Sequence, residues 1–465
     1  CVLEDDFKHI WVGTFKGIDC YDPVTDTWSH YTRYGSSSNS LSHTSILSLH
    51  KDMQGNIWVG TYYGGVNVFN PDKNNHSFYC AEPLREDCLS FPVVGKMTED
   101  SAGNVWICTE GGGLNCYHGD TGVFSRYMYH KGDQGTLGSN NVKSIFYRKE
   151  NNRLYAGTHL GGLFVLDLKS NKGHTLHHVT GDPASLPHEI VNDIQEYKDG
   201  IAMLTQGGPV FFDPVTEKFS PLTDDPSVQK LISREYAFET FLIDSRHRMW
   251  LAVGGGGIVC VNLSSSKVTQ YMADSEKDTL TVGRYKTVHI FEDNKGDIYF
   301  STIGAGIFKY QEKQDTFKSY GTTNGVLPSN YCYYICESAR DNCLLVLHGK
   351  GLSIFDREKE VTEETYHLFR QTYNLGSALY RSKNGIIYIS GTNGLAMFQE
   401  RSFYESQVKS FLNFDKLFIF NDEIAPGDES GILTEILAKT SDIFLSYQQN
   451  NVTVEFATFN YNSDR

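Results

Sequence analysis

Few residues in this 465-residue chain have the type and spacing of a reactive centre. His174, His177 and His178 lie close together, but in a polar stretch where histidine is ordinarily solvated rather than metal-bound. Cys332 and Cys336 are four apart, which is poor zinc-knuckle spacing, and no second pair completes a site. Glycoside hydrolysis would need two converging carboxylates. Glu110 sits alone in a short glycine-rich frame and Glu235 in a longer loop, so no dedicated pair is expected. No Gly-x-Ser-x-Gly, His-Glu-x-x-His or phosphate-loop pattern occurs. Neither catalysis, nor a cofactor, nor a metal is expected.

The more informative set is made of binding groups. Tyr62, Tyr63, Glu110, His159, Gln206, His348, Lys350 and Asn393 follow a recurring phrase at corresponding places. Arg234, Glu235, Tyr236, Arg284, Tyr285, Asn330 and Tyr331 fall in longer, more varied stretches before the next copy. Aromatic rings beside amides and charges suit a sugar, whose C–H faces stack on rings while its hydroxyls find polar partners. Taken singly, each of these is also an ordinary exposed loop residue. Taken together they predict a ligand-binding face.

The phrase that positions them returns at a pitch of roughly 47 residues, as a propeller blade does. In its second copy it reads Lys51-Asp52-Met53-Gln54-Gly55-Asn56-Ile57-Trp58-Val59-Gly60-Thr61, then Gly64-Gly65-Val66-Asn67-Val68-Phe69. Nine copies follow from an aromatic slot at Trp11, Trp58, Trp106, Tyr155, Ala202, Trp250, Tyr299, Leu344 and Tyr388. Two residues on, the side chain is small in most copies, so that backbones approach closely; Leu204 and Val346 mark degenerate copies. Each copy divides into four strands. Strand A is a run such as Ser45-Ile46-Leu47-Ser48-Leu49. The A–B turn carries Asp six residues before the slot and often Gly three before it, as in Asp52/Gly55, Asp100/Gly103 and Asp293/Gly296. Strand B holds the slot, strand C follows the glycines, and strand D carries an aromatic pair such as Phe124 and Tyr127. Antiparallel order puts the B–C and D–A loops, with all the candidate groups, on one face. A sialidase Asp-box is the nearest look-alike, but its Asp-x-Gly-x-x-Trp is one residue shorter than Asp52 to Trp58.

A formal charge of −15 argues against a nucleic-acid partner, and no long apolar run is present to span a membrane. Of the ten cysteines, Cys20, Cys108, Cys116 and Cys260 fall in expected strands as small apolar residues, while Cys80 and Cys88 flank a short loop and are spaced to pair. The repeats stop near Phe398. Phe411 to Asn421, Ile443 to Tyr447 and Val452 to Phe459 then read as strands of a small sandwich, with Val452, Val454, Phe456 and Thr458 on one half-buried face.

The phrase Asp-x-x-Gly-x-Ile-Trp-Val-Gly-Thr-x-x-Gly-Gly resembles the two-component-regulator propeller repeat, and the tail from Phe411 resembles the start of the Tyr-rich immunoglobulin-like domain that follows such propellers. In this order they resemble the periplasmic sensor region of Bacteroidetes-type hybrid two-component systems. The resemblance implies an all-β protein, with residues 90–400 as a seven-bladed propeller, 1–89 as the last blades of a truncated first propeller, and 401–465 as linker and partial sandwich. It implies the periplasmic part of an inner-membrane protein, anchored by a helix further along a longer polypeptide. An oligosaccharide from polysaccharide breakdown would be the ligand, a homodimer is compatible, and a histidine kinase downstream would control transcription. A propeller glycosidase or lyase, or a protein-interaction scaffold, are the alternative readings.

Overall fold

The computed structural model describes residues 1–24, 26–33, 41–71, 76–81, 88–273, 282–366, 375–401 and 411–459. The chain forms two compact units, one of Asn75–Phe403 and one of Cys1–Asn74 with Tyr404–Arg465.

The larger unit holds seven four-stranded antiparallel sheets. The first is made of Val94–Glu99, Val105–Thr109, Leu114–His118 and Val123–Tyr127, strands A to D in chain order. The A strands of successive sheets lie side by side, and that of the seventh, Leu375–Arg381, returns against Val94–Glu99 of the first. The ring is therefore closed. Its closing strand comes from outside the run of seven repeats. The seventh sheet takes Leu375–Arg381, Ile386–Gly391 and Leu395–Gln399, and its fourth strand is His76–Tyr79, paired through Leu395↔Tyr79 and Phe398↔His76. By sequence order His76–Tyr79 is strand D of the second repeat. The second repeat keeps only Ile46–Lys51, Ile57–Thr61 and Val66–Phe69 in its own sheet.

In the first, fourth and fifth blades of the ring, and in both repeats of the smaller unit, the A–B turn aspartate is the knot of the blade. One carboxylate oxygen of Asp100 accepts the N–H groups of Ala102 and Asn104 at 2.9 and 3.0 Å, and the other accepts the Trp106 indole N–H at 2.9 Å. Asp5, Asp52 and Asp244 hold Trp11, Trp58 and Trp250 in the same way. Burial alone would raise the Asp5 and Asp52 carboxyls, but the indole and backbone donors outweigh it and hold both below the usual carboxylate value. Where the slot is Tyr299 there is no indole donor, and the Arg357 guanidinium of the next blade takes its place on Asp293 at 2.8 Å.

The strand-B threonine closes the B–C turn. Thr109, Thr158 and Thr302 hydroxyls donate to the carbonyls of Gly113, Gly162 and Gly306 at 2.7, 2.9 and 2.8 Å. Gly113 and Gly306 have φ of +73° and +84°, and a Cβ there would stand 2.3 and 2.1 Å from the strand-D carbonyls of Tyr127 and Tyr320. Only glycine meets both demands. The small residue two past the slot is likewise required at Gly157, where a Cβ would meet Ser144 Oγ at 2.3 Å and Val191 of the next blade at 2.7 Å.

Strand A lies innermost and has a free edge, and polar side chains of one blade serve the backbone of the next. The Ser144 hydroxyl donates to the Val191 carbonyl at 3.1 Å, Gln195 makes two bonds to the Ile243 backbone, and Nδ1 of His289 accepts the Ile335 N–H at 3.3 Å. Asp193 accepts from Thr240 at 2.8 Å and pairs with Lys96, which reaches it from two blades away.

Three expectations change. The register pairs Leu345 with Cys336 as it pairs Tyr299 with Phe291, so the eighth slot is Leu345 and not Leu344. The D–A connection before the fourth blade contains a short helix, Pro226–Lys230, continued by a π-helical turn, Leu231–Glu235. Asp225 caps it by accepting the N–H groups of Ser227 and Val228, and Pro226 stands at its first position. In the smaller unit Phe411–Ile419 pairs with Val452–Phe459 and with Asp422–Ile424, but Ile443 to Tyr447 forms no strand. Val452, Val454 and Phe456 are exposed rather than half-buried, because no second layer covers that face among the described residues.

Replacing Asp100 by Ala leaves four donors, the Asn104 amide among them, without their acceptor and should destabilise the ring by about 2–4 kcal/mol, while Trp106→Phe should cost less. Urea unfolding followed by near-ultraviolet dichroism measures both, and equal losses would show that the carboxylate is not the organising group. A second prediction concerns His289. Burial, with help from Lys96, pushes its pKa down to about 3. The unfolded chain takes this proton near pH 6.5 and the folded chain does not, so stability falls as pH drops from about 6.5 towards 3. Compared with pH 7, the loss at pH 5 should be up to about 2 kcal/mol and should disappear in His289→Gln.

Candidate functional site

The B–C turns and D–A connections of the ring are joined to each other by backbone hydrogen bonds. The N–H groups of Glu110, His159 and Gln206 donate to the carbonyls of Val93, Asn141 and Ile190 at 3.0, 2.9 and 3.1 Å. Gly254 donates to Ala237, Gly304 to Asn330 and Gly349 to Tyr331, each at 2.9 Å. Both kinds of loop thus lie on one face, and each B–C turn is fixed by the connection that enters its own blade or the next.

Four of the expected residues are gathered in one sector, over the fourth to sixth blades. The exposed Arg284 ends a short 3₁₀ turn, Val282–Arg284, set against the glycines of the fourth B–C turn. Tyr285 stands over the fifth B–C turn, its ring 3.3 Å from where a Cβ of Gly304 would be. Ile303 bridges to Tyr331, which is 55% exposed, and the Tyr331 carbonyl in turn receives the Gly349 N–H. Lys350 follows, exposed. A cation, two phenols and a second cation therefore sit on adjoining loops with backbones tied together, open to solvent.

The other expected residues are placed differently. Glu110 is exposed and pairs with Lys143 at 2.8 Å, so its partner is a cation and not a second carboxyl. His159 is half-buried, and Gln206 and Asn393 are exposed on the turns of the second, third and seventh blades. Tyr62 and Tyr63 are exposed and meet edge to face with ring centroids 4.3 Å apart, but they belong to the smaller unit. Arg234 lies in the π-helical turn, and its side chain falls outside the described residues.

His348 is a correction. It is wholly buried, with Nε2 2.7 Å from the Ser353 hydroxyl and Nδ1 accepting the Lys350 N–H at 3.1 Å. It pairs with Cys332 as Thr302 pairs with Thr287, so it stands in the place of the turn-closing threonine. The one-residue slip in the slot of this copy makes it read as a loop residue.

His174 and His177 face Glu217 and Glu189 at 2.9 and 3.1 Å, and Nδ1 of His178 lies 2.8 Å from the Leu186 carbonyl. Among the described residues no group of three His, Cys, Asp or Glu is placed to hold a metal. The inner-strand polar residues Lys96, Asp193, Thr240 and His289 escaped the sequence reading. Their signal was one of place: Asp193, Thr240 and His289 all pair with the residue two past the slot, Leu204, Ala252 and Ser301.

The chain matches the family model described as two component regulator propeller over residues 40–63. It is 25% identical over 261 residues to Histidine kinase P4 of Formosa agariphila, covering 55% of this chain and 18% of that protein. Its fold is similar to the extracellular domain of the hybrid two component system BT3049 from B. thetaiotaomicron, with 22% identity and a TM-score of 0.66, covering 98% of this chain and 63% of that one. The extracellular domain of BT4673 from the same organism is similar over 98% of this chain and 60% of that one, with 18% identity and a TM-score of 0.57. The chain thus spans less than two thirds of the length of each of these proteins. Residues 40–63 thus carry the two component regulator propeller repeat, and the fold is similar to that of the extracellular domains of BT3049 and BT4673.

Proposed function

We propose that this chain is the extracytoplasmic ligand-sensing region of a hybrid two-component histidine kinase. In this reading it lies in the periplasm as part of an inner-membrane protein and binds an oligosaccharide released by polysaccharide breakdown. Occupancy is passed across the membrane to control transcription of glycan-utilisation genes. The observation that supports it best is the sector of Arg284, Tyr285, Tyr331 and Lys350, where rings and cations share one face of a closed ring. Rings of this kind cover sugar C–H faces and cations bind hydroxyl or carboxylate groups. Among the described residues no helix is long and apolar enough to cross a membrane. Transmission requires two states that the ligand binds unequally. A dimer in which occupancy changes the pairing of two copies would satisfy that requirement.

The glycosidase or lyase reading is less favoured, since Glu110 pairs with Lys143 rather than with a second carboxyl, and Glu235 ends the π-helical turn. Calorimetric titration against a panel of neutral and acidic oligosaccharides tests the proposal. Binding without turnover is expected. Arg284→Ala and Tyr331→Ala should each weaken it about tenfold, with the melting temperature nearly unchanged. His348→Ala should instead cost about 2–4 kcal/mol of stability, because it opens a cavity and orphans buried hydrogen bonds. Release of shortened products would sink the sensor reading, and silence across the whole panel would favour a protein-binding scaffold.

A further inference from the structure

The strand that closes the ring runs straight into one of a pair of cysteines. His76–Tyr79 pairs with Leu395–Gln399 of the seventh blade, and Cys80 follows it at once. Cys88 stands just before Leu89, on the way into strand A of the first blade, Val94–Glu99. The two stretches meet in a parallel bridge between Ala81 and Leu89. In parallel register the residues one place back also stand abreast, with their side chains on the same side. Those residues are Cys80 and Cys88. Neighbouring strands lie about 4.8 Å apart, inside the range of about 4.4–6.8 Å that a disulfide requires between Cα atoms. The two sulfurs are not bonded to each other in the structure, and both residues are half-buried.

Both backbones are held at this place by other contacts. The Tyr79 hydroxyl lies 3.2 Å from that of Tyr117, and Leu89 is wholly buried in one cluster with Val94 and Leu395. The Arg126 guanidinium donates to the carbonyls of Cys88 and Leu89 at 2.9 and 3.2 Å. Joining the sulfurs thus calls for side-chain rotation and not for a new pairing. The remaining cysteines are poor competitors. Six of the other eight are buried, and burial pushes the thiols of Cys116, Cys260 and Cys332 up to about 12. A thiol exchanges as its thiolate, so these react slowly at ordinary pH. Burial raises Cys336 as well, and Cys1 belongs to the smaller unit.

We propose that Cys80 and Cys88 form a disulfide that staples the ring-closing strand to the entry of the first blade. The oxidant is a second disulfide, that of glutathione or of a thiol-oxidising protein. One cysteine thiolate attacks a sulfur of the oxidant, giving a mixed disulfide and expelling one thiolate. The second cysteine thiolate then attacks the sulfur of the first, and the other thiolate of the oxidant leaves. The two cysteines lose two electrons and two protons, and the oxidant becomes two thiols. With the bond in place, His76–Tyr79 does not come fully away from the seventh blade without drawing Leu89 from the core. The periplasmic reading above would supply an oxidising compartment, but the pairing itself does not depend on it.

The purified intact chain, equilibrated with glutathione disulfide and digested with trypsin without reduction, provides the test. Trypsin cuts after Lys73, Arg85 and Lys96, so peptides 74–85 and 86–96 stay together only through this bond. Mass spectrometry of the monomer should find them joined in most molecules, and separate after dithiothreitol. The oxidised chain should melt about 2–5 °C above the reduced one, a difference that vanishes in Cys88→Ser. Near-ultraviolet dichroism checks that this variant folds, and the oxidised-against-reduced comparison of the natural chain carries the test if it does not. The proposal is overturned if the two peptides stay separate, if either cysteine pairs with a different one, or if the bond joins two chains. A bond that leaves the melting temperature unmoved overturns its role as a staple. Because glutathione is the oxidant throughout, failure here does not count against the periplasmic sensor reading, and silence in the oligosaccharide titration does not count against the bond.

Discussion

The structure depends on what becomes of the edges of its sheets. A four-stranded blade has two apolar faces and two open edges, and it cannot dispose of them alone. Stacking seven blades buries the faces, as the clusters around Trp106 and Leu154, or Tyr155 and Ile201, show between neighbours. The edges need another device. At the seventh blade the outer edge is covered by His76–Tyr79, which the chain lays down before the ring begins. First and last parts of the ring are thereby held in one sheet. The closure is reinforced on the inner side, where the Lys383 N–H donates to Glu99 of the first blade at 2.9 Å. Opening the ring therefore breaks both a ladder and a core, which favours a cooperative unit over a string of separable repeats.

The inner edges are handled by side chains. Strand A of each blade offers N–H and C=O groups that no further strand can pair. Ser144, Gln195 and His289 supply partners from the blade before, and Asp193 and Thr240 bond to each other across the same gap. Burial and Lys96 both disfavour the charged form of His289, so it serves its neighbour as a neutral acceptor. The ion pair of Lys96 with Asp193 joins strands of the first and third blades and so runs inside the ring. The pair is half-buried, and such a pair is weak evidence for stability, since desolvation opposes its Coulomb gain. Its geometric effect is plainer: it fills space that seven A strands would otherwise leave between them.

How much of this could be read from the sequence depends on whether the signal was local. The Asp, Trp, Thr and Gly places recur because each answers a local demand, and the Asp100 bonds to Ala102, Asn104 and Trp106 span six residues. The seven blades were legible for that reason. His76–Tyr79 was legible as a strand but not as a partner of Leu395–Gln399, because its pairing is set by ring closure across more than 300 residues. His348 was misplaced because its copy has lost both the aromatic and the threonine that set the frame, and a slip of one residue exchanges buried for exposed. The helix after Asp225 had a local signal, a capping residue followed by proline, that was outvoted by the strand rhythm around it.

The division of labour within a blade bears on what the face can do. The B–C turns are held by the threonine hydroxyl, by a glycine at positive φ and by a bond to a D–A connection, so their backbones vary little from blade to blade. Variation is left to the side chains that follow. An enzyme on such a face would need two groups brought to hydrogen-bonding distance of one reacting atom. The groups present are instead spread around the rim, with Glu110 neutralised by Lys143 and Arg284 a separate sector away. In the proposed sensor, a spread of separate donors and rings on a closed frame is suited to an extended ligand held by many weak contacts. Because the loops are tied to D–A connections of adjoining blades, a ligand spanning several turns can also bias how those blades sit, which is the differential contact that a sensor requires.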